Sequence, residues 1–349
     1  MKNTILFVFI AMICFSCEKA VLGEPEVDTP ENNFELLWSD FNENYGLFEA
    51  REWNWDSIYM VYRPQVTNQT SDDELWDIFK NMISYLDDSH TFIYSPDVDF
   101  FASGSEEDDL VEAEFSLDLL KDKYLENIED LALTDAENES HVTAKIQDKN
   151  IGYIYLSEIE ANDEDFMDDV LKKIGQHDAI IFDIRNNTGG DDAIGASIAG
   201  RFADGKHLVY TVQTRNGPNH NDFTEPVSYF TEIHGQENYR KPIIILTDKI
   251  TVSAAETMLF HFKAFDLVSQ IGDTTAGDFS DVSMRRFLPN GWQYQYSIMQ
   301  YLKPSGESLD GIGHIPFIQV RNSISDIEMQ EDKVIERAIM FLFDEYGIE

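Results

Sequence analysis

Thr251-Val252-Ser253-Ala254-Ala255-Glu256 is the stretch on which the reading of this chain turns. It follows Pro242 to Leu246, a short, β-branched apolar run introduced by a proline, which reads as a buried strand. Met258, Leu259, Phe260 and Phe262 come next in a helix-forming context. Ser253 therefore stands where a strand hands over to a helix. Its hydroxyl lies near the free amides of the helix start, which favour negative charge. A serine so placed is either a nucleophile whose reaction creates an oxyanion or a plain N-cap. This stretch alone favours the cap; the surrounding sequence reverses the preference.

Upstream, Ala179 to Arg185 is a near-continuous apolar run and reads as a second buried strand. Asn186-Asn187-Thr188-Gly189-Gly190 follows, then a helix over Ala193 to Phe202. A strand ending in paired glycines before a helix lets backbone amides approach an anion closely. The lysine and hydroxyl residue of a P-loop are missing, as is the spaced three-glycine dinucleotide pattern. The plain alternative is a tight turn with no ligand.

Strands are also expected at His141–Ile146, Ile151–Leu156, Leu208–Gln213 and Val268–Ile271, with a helix over Phe166–Ile174. Such alternation implies an α/β layer architecture. Met284 to Leu288 and Trp292 to Met299 make a hairpin about Pro289-Asn290-Gly291. A helix over Asp332–Phe343 closes the chain.

Toward the N-terminus, Phe34, Leu37, Trp38, Phe41 and Tyr45 recur at helical spacing. Trp53 to Tyr62 gives a second helix, stopped near Pro64. Ser71-Asp72-Asp73-Glu74 reads as the cap of a third, which runs through Leu86. These aromatic stripes are core. The third helix leads into Asp87-Asp88-Ser89-His90-Thr91. There His90 either projects into a cleft or is simply a surface histidine in a turn.

The net charge is −41, from 25 basic and 66 acidic residues. That argues against nucleic acid as a partner, since phosphate backbones are held by basic surfaces. It suits a self-repelling soluble surface or cationic partners. Cys14 and Cys17 are the only cysteines. Beyond the N-terminus there is thus no disulfide and no cysteine-based zinc site. No cofactor or metal is expected. Phe101 to Ser140 is densely acidic with poor periodicity and reads as an insertion or linker; without an EF-hand pattern, its charges face solvent rather than calcium.

Lys2 followed by the apolar run Ile5 to Phe15 has signal-peptide length. Phe15-Ser16-Cys17 resembles the lipobox of bacterial lipoproteins, which implies cleavage before Cys17 and lipid attachment to it. Residues 17–33 then form an acidic, proline-containing tether. The organisation expected is a signal peptide over 1–16, the tether, a helical bundle over 34–96, an acidic insertion over 97–140 and an α/β domain over 141–349. The place expected is the bacterial cell envelope, with the chain held on a membrane.

In order along the chain, Asp88-Ser89-His90-Thr91, Gly152-Tyr153-Ile154, Asp183 to Gly190, Ser253-Ala254-Ala255-Glu256, Gly272 to Gly277 and Asp310 to Pro316 resemble the S41 peptidases. That family holds the tail-specific (C-terminal processing) and tricorn-like proteases. The resemblance runs from about Phe34 to the C-terminus. It implies a crotonase/ClpP-like α/β core preceded by a small helical bundle, and serine-peptidase activity on peptides or proteins. It makes Ser253 similar to the nucleophile. The oxyanion hole would be formed by the amide of Ala254 and one from Gly189-Gly190, with Gly189 preferred.

The tail-specific branch carries a lysine base in a Thr-x-Gly-Lys segment; here the segment reads Thr275-Ala276-Gly277-Asp278. The tricorn-like branch uses a Ser-His-Ser-Glu set. His90 matches its histidine, Ser89 the preceding serine, and Asp310 stands where its glutamate falls. Phe317 replaces a usual aspartate, and the acidic middle is too short for a PDZ domain. The reaction implied is acyl transfer with His90 as general base. Two rivals are a catalytically silent relative that binds peptides or small apolar molecules, and an anchored binding lipoprotein for nutrient uptake.

Overall fold

The computed structural model describes residues 27–104, 108–135 and 140–349. The expected signal peptide, Cys17 and most of the expected tether lie outside these. Helix α1 (Pro30–Asn44) starts where the Thr29 hydroxyl accepts from the Asn32 amide, with a proline in its first turn, where a missing N–H costs nothing. Helix α2 (Trp55–Tyr62) is capped by Asn54. Helix α3 (Asp72–Ser84) opens on a reciprocal box between Ser71 and Glu74. Phe34, Leu37, Phe41, Trp55, Phe79, Met82 and Ile83 are buried together between the three helices. The short strands β1 (Phe92–Tyr94) and β2 (Phe100–Ala102) follow directly.

Helices α4 (Asp108–Glu112) and α5 (Leu117–Lys123) lead to strands β3 (Leu125–Asp130), β4 (His141–Ile146) and β5 (Ile151–Leu156). Then come α6 (Phe166–Ile174), β6 (Ala179–Asp183), α7 (Asp192–Gly200), β7 (His207–Thr214) and β8 (Val227–Thr231). Strand β9 (Ile243–Thr247), helix α8 (Ala254–Phe262) and strand β10 (Val268–Gly272) continue the alternation. The chain ends with β11 (Arg286–Phe287), β12 (Gln293–Gln295), β13 (Met299–Leu302), β14 (Ile318–Gln319), α9 (Ile324–Glu328) and α10 (Lys333–Tyr346).

The main sheet has the order β14-β10-β9-β6-β5-β4-β3. It is parallel from β14 to β5 and antiparallel at β4 and β3. Side chains alternate across it. Ile154, Ile180, Phe182 and Ile245 meet α6, α7 and α8. Tyr153, Ile181 and Ile244 meet α5 and α10 on the other face. Layers on both faces explain why the central strands read as unbroken apolar runs.

Two expectations about organisation are corrected. The acidic segment 97–140 is no insertion: β2 belongs to the N-terminal body, and β3 pairs with β4 as the edge of the main sheet. Three of its carboxylates, Glu126, Glu129 and Asp130, stand on this edge strand, where charge blocks further pairing. The N-terminal body is not purely helical and does not end at 96. Residues from far along the chain complete a sheet of order β11-β12-β1-β2. The expected hairpin supplies its two distal strands. The strand expected at Leu208–Gln213 exists as β7, yet it joins a separate sheet with β8 and β13. Among the described residues no helix is long and apolar enough to cross a membrane.

Candidate active site

The site forms at the carboxyl ends of the adjacent parallel strands β6 and β9. The turn after each is fastened to the other. The Thr251 hydroxyl donates to the Ile184 carbonyl at 2.9 Å, and the Val252 amide to the Asn187 carbonyl at 3.2 Å. The Asp248 carboxylate accepts the Asn186 amide at 2.8 Å and the Thr251 amide at 3.0 Å. Burial pushes the Asp248 carboxyl up to about 6.

Ser253 leaves this turn at φ 57°, ψ −125°, a conformation that is strained for any residue with a side chain. Its side chain accepts no helix amide, so the plain-cap alternative does not describe it. Gly189 lies against it at φ +93°: a Cβ there would stand 2.6 Å from the Ser253 Cβ and 3.2 Å from its Oγ. Only glycine fits that approach.

The nearby amides divide into engaged and open ones. Ser253 N–H donates to the Asp278 carbonyl at 3.1 Å, and Gly189 N–H to Asn187 Oδ1 at 2.9 Å. The amides of Ala254 and Gly190 have no acceptor among the described residues. Of the glycine pair, then, Gly189 supplies the space and Gly190 the open donor. Sequence reasoning preferred Gly189 as donor, because the Asn187 side chain that occupies its amide is a tertiary detail.

Arg185, from the same motif, does not face the cleft. It is buried between Asp183 and Asp332, with contacts of 2.6 Å and 2.9 Å. Asp332 also caps α10, so this ion triad fixes the last helix to the end of β6.

The loop that carries His90 reaches the cleft from the N-terminal body, through Ser89. It is folded around Asp88, which accepts the His90 amide at 3.1 Å and the Thr91 hydroxyl at 2.8 Å. The loop is tied to the Ser253 turn through one residue. The Asp278 carboxylate accepts the Ser89 amide at 3.0 Å and pairs with Arg51, while its carbonyl takes the Ser253 amide. Arg51 also donates to the carbonyls of Leu86 at 3.1 Å and Gly277 at 3.0 Å, and to that of Asp87. Ser89, Thr188, Val252, Ala276 and Asp278 line one cleft of about 440 Å³.

No hydrogen bond joins His90 to Ser253, and His90 Nδ1 is buried without a partner among the described residues. The Ser89 hydroxyl makes no hydrogen bond to the imidazole. Nor does Asp310, expected to complete the set with His90: its carboxylate accepts the Ser308 hydroxyl at 2.7 Å and the Phe279 amide at 3.4 Å. Burial pushes the Asp310 carboxyl up to about 7.

Glu256, in the first turn of α8, is buried as well. It accepts the Thr275 hydroxyl at 2.5 Å and the amides of Gly277 and Asp278, both at 2.9 Å. Burial still pushes it up to about 8. Asn187, Glu256 and Arg51 were not recognised as site residues from sequence. Asn187 and Glu256 stand inside quoted motifs without a role of their own, Asp278 reads as the residue standing in for a lysine, and Arg51 leaves no trace. Among the described residues no group of three histidine, cysteine or carboxylate side chains is arranged to hold a metal ion.

Comparison with known proteins fits this geometry. Residues 150–320 match the model of peptidase family S41, and residues 27–84 that of the tricorn protease C1 domain. A carboxyl-terminal-processing protease of Picosynechococcus sp. is 27% identical over 180 residues, which is 49% of this chain and 40% of that protein. The chloroplastic carboxyl-terminal-processing peptidase 3 of Arabidopsis thaliana is 25% identical over 189 residues, 53% of this chain and 34% of that one. The chain thus spans about two-fifths or less of these curated relatives.

Among solved structures, a protein of Parabacteroides merdae, provisionally described as a peptidase, superposes with a TM-score of 0.78 and 27% identity, covering 90% of this chain and 97% of that one. The tricorn protease shares the fold at 16% identity and TM-score 0.55, over 91% of this chain and 37% of its own. The region over residues 150–320 belongs to peptidase family S41.

Proposed function

We propose that the chain is a serine peptidase that cleaves peptides or proteins through an acyl-enzyme on Ser253. His90 takes the hydroxyl proton as Ser253 attacks the carbonyl carbon. The amides of Ala254 and Gly190 hold the oxyanion. The amine leaves with the proton returned by the imidazolium, and water, deprotonated in turn by His90, releases the acyl group.

The observation that carries the reading is the strained Ser253 turn seated on Gly189, with open amides beside an unengaged hydroxyl. A residue is held in such a conformation only where the surroundings impose it, and such strain concentrates at functional sites. The test is digestion of a peptide library by the wild type and by Ser253→Ala. Cleavage that disappears with the hydroxyl is the expected result; equal cleavage by both would refute the assignment.

One observation favours a catalytically silent, peptide-binding relative instead. His90 Nδ1 has no acceptor to orient the ring, and Asp310 is held by Ser308. That protein would bind peptides without turnover and resist serine-directed reagents.

The N-terminal sequence supports a further proposal, that Cys17 is lipidated and tethers the domain in the bacterial cell envelope. Labelling of the expressed protein with an alkynyl fatty acid, lost in Cys17→Ala, is the expected result.

A further inference from the structure

We propose that Asp278 and Arg51 are positioning residues: together they form a buried bracket that sets the His90 loop against the Ser253 turn. This rests on the serine-peptidase reading of the same site. Asp278 acts from both ends. Its main-chain carbonyl holds the Ser253 amide and its side chain holds the Ser89 amide, the residue next to His90. A movement of either segment is therefore passed to the other within one residue.

Arg51 completes the bracket. It comes from the connection between α1 and α2, on the N-terminal body, and is ion-paired to Asp278 with both side chains buried (4% and 6% exposed). It also holds the carbonyls of Leu86, Asp87 and Gly277. One guanidinium thus grips both sides of the cleft, using several donors of its fixed fork. The loop it grips is clamped from two further directions, by Glu256 on the nucleophile's own helix and by the Gly311 amide, which donates to the Gly277 carbonyl at 2.8 Å.

Cohesion between the two bodies does not depend on this bracket. Arg215 donates to the Glu43 carbonyl at 2.7 Å and Gln300 to the Gly46 carbonyl at 2.9 Å. Removing Asp278 should loosen the relation of His90 to Ser253 while the bodies stay joined.

The experiment compares the wild type with Asp278→Ala, Asp278→Asn, Arg51→Ala and Arg51→Lys. Two readouts are taken: the rate of covalent labelling by a fluorophosphonate, and amide hydrogen exchange resolved at Ser89 and Ser253. The expected result for Asp278→Ala is about tenfold slower labelling or more, about tenfold faster exchange at Ser89, and unchanged exchange in β6 and β9. Arg51→Lys recovers part of what Arg51→Ala loses; Asp278→Asn, which keeps an acceptor for Ser89, is intermediate.

Wild-type labelling together with wild-type Ser89 exchange in a folded Asp278→Ala protein overturns the bracket. Should that variant fail to fold, Asp278→Asn and Arg51→Lys carry the same comparison. If the wild type is not labelled, the serine-peptidase reading fails. The exchange readout then decides the bracket alone: unchanged Ser89 exchange rejects it, and faster exchange supports it.

Discussion

The segments that carry Ser253 and His90 are brought to one residue, Asp278, by different physical routes. The serine is built into the α/β core. Its turn is stitched to the neighbouring turn by a main-chain bond and by the Thr251 and Asp248 side chains, its φ is forced, and a glycine clears its side. The histidine belongs to a second body whose own packing says nothing about the core. Its loop is shaped by Asp88 and docked through Asp278 and Arg51, and its ring Nδ1 has no acceptor. The contrast teaches that the proposed nucleophile is a property of one layer architecture, whereas the proposed base is a property of an interface. Changes in the core should abolish or distort the serine; changes at the interface should detune the histidine.

The sharpest break between the two comes from their own substitutions. Ser253→Ala should remove labelling and hydrolysis altogether, and His90→Ala should slow both by about a hundredfold to ten-thousandfold. Neither should shift the urea midpoint much, since neither side chain is bonded to the fold. A loss of activity that tracked unfolding in either variant would count against the scheme.

The core side has a purely structural control. Arg185→Ala leaves Asp183 and Asp332 buried without their cation and should cost about 3–5 kcal/mol in denaturant unfolding. A loss below about 1 kcal/mol, the range of exposed ion pairs, would contradict the triad's role.

Gly189→Ala tests the seat itself. The new Cβ meets Ser253 at 2.6 Å in a backbone region that alanine avoids. Labelling should fall by about a hundredfold, with a stability loss of about 1–3 kcal/mol. Near-normal labelling would mean that Ser253 does not need this contact.

The smallest effect is a pH trend. Burial raises Glu256 to about 8 and Asp310 to about 7 in the folded chain. Between the ordinary carboxylate range and those values the folded chain binds more protons than the unfolded one. Stability from these groups is therefore full at acid pH and is lost as pH rises toward 8. Urea midpoints should fall from pH 5 to pH 8, and Glu256→Gln should flatten the fall. An equal slope in that variant would show that Glu256 does not contribute.

Much of the fold is legible in the sequence because burial on both faces leaves unbroken apolar runs, as at Ala179–Phe182 and Ile243–Leu246. Capping residues such as Ser71 and Asp332 mark helix starts directly. Strand β3 is illegible for the opposite reason: only Leu125, at its start, is buried, and its other side chains point outward. The pairing of β1 with β12 is equally hidden, since it joins residues about two hundred positions apart with three residues on each side.

The site divides in the same way. Ser253 announces itself by its place between strand and helix, and His90 by its place in an ordered set of motifs. Arg51 has no local signal, because it lies in an aperiodic connection and acts only across the interface. Asp278 reads in one dimension as a missing base; in three dimensions it joins the two halves of the cleft. Asp310 matches a motif position, yet its geometry commits it to Ser308 and Phe279.

The most direct test of the central claim is site-resolved mass spectrometry after exposure of the intact chain to a fluorophosphonate. The account expects a single phosphonyl adduct on Ser253, absent from Ser253→Ala and strongly slowed in His90→Ala. An adduct on another serine, or none after prolonged exposure of folded protein, would contradict it.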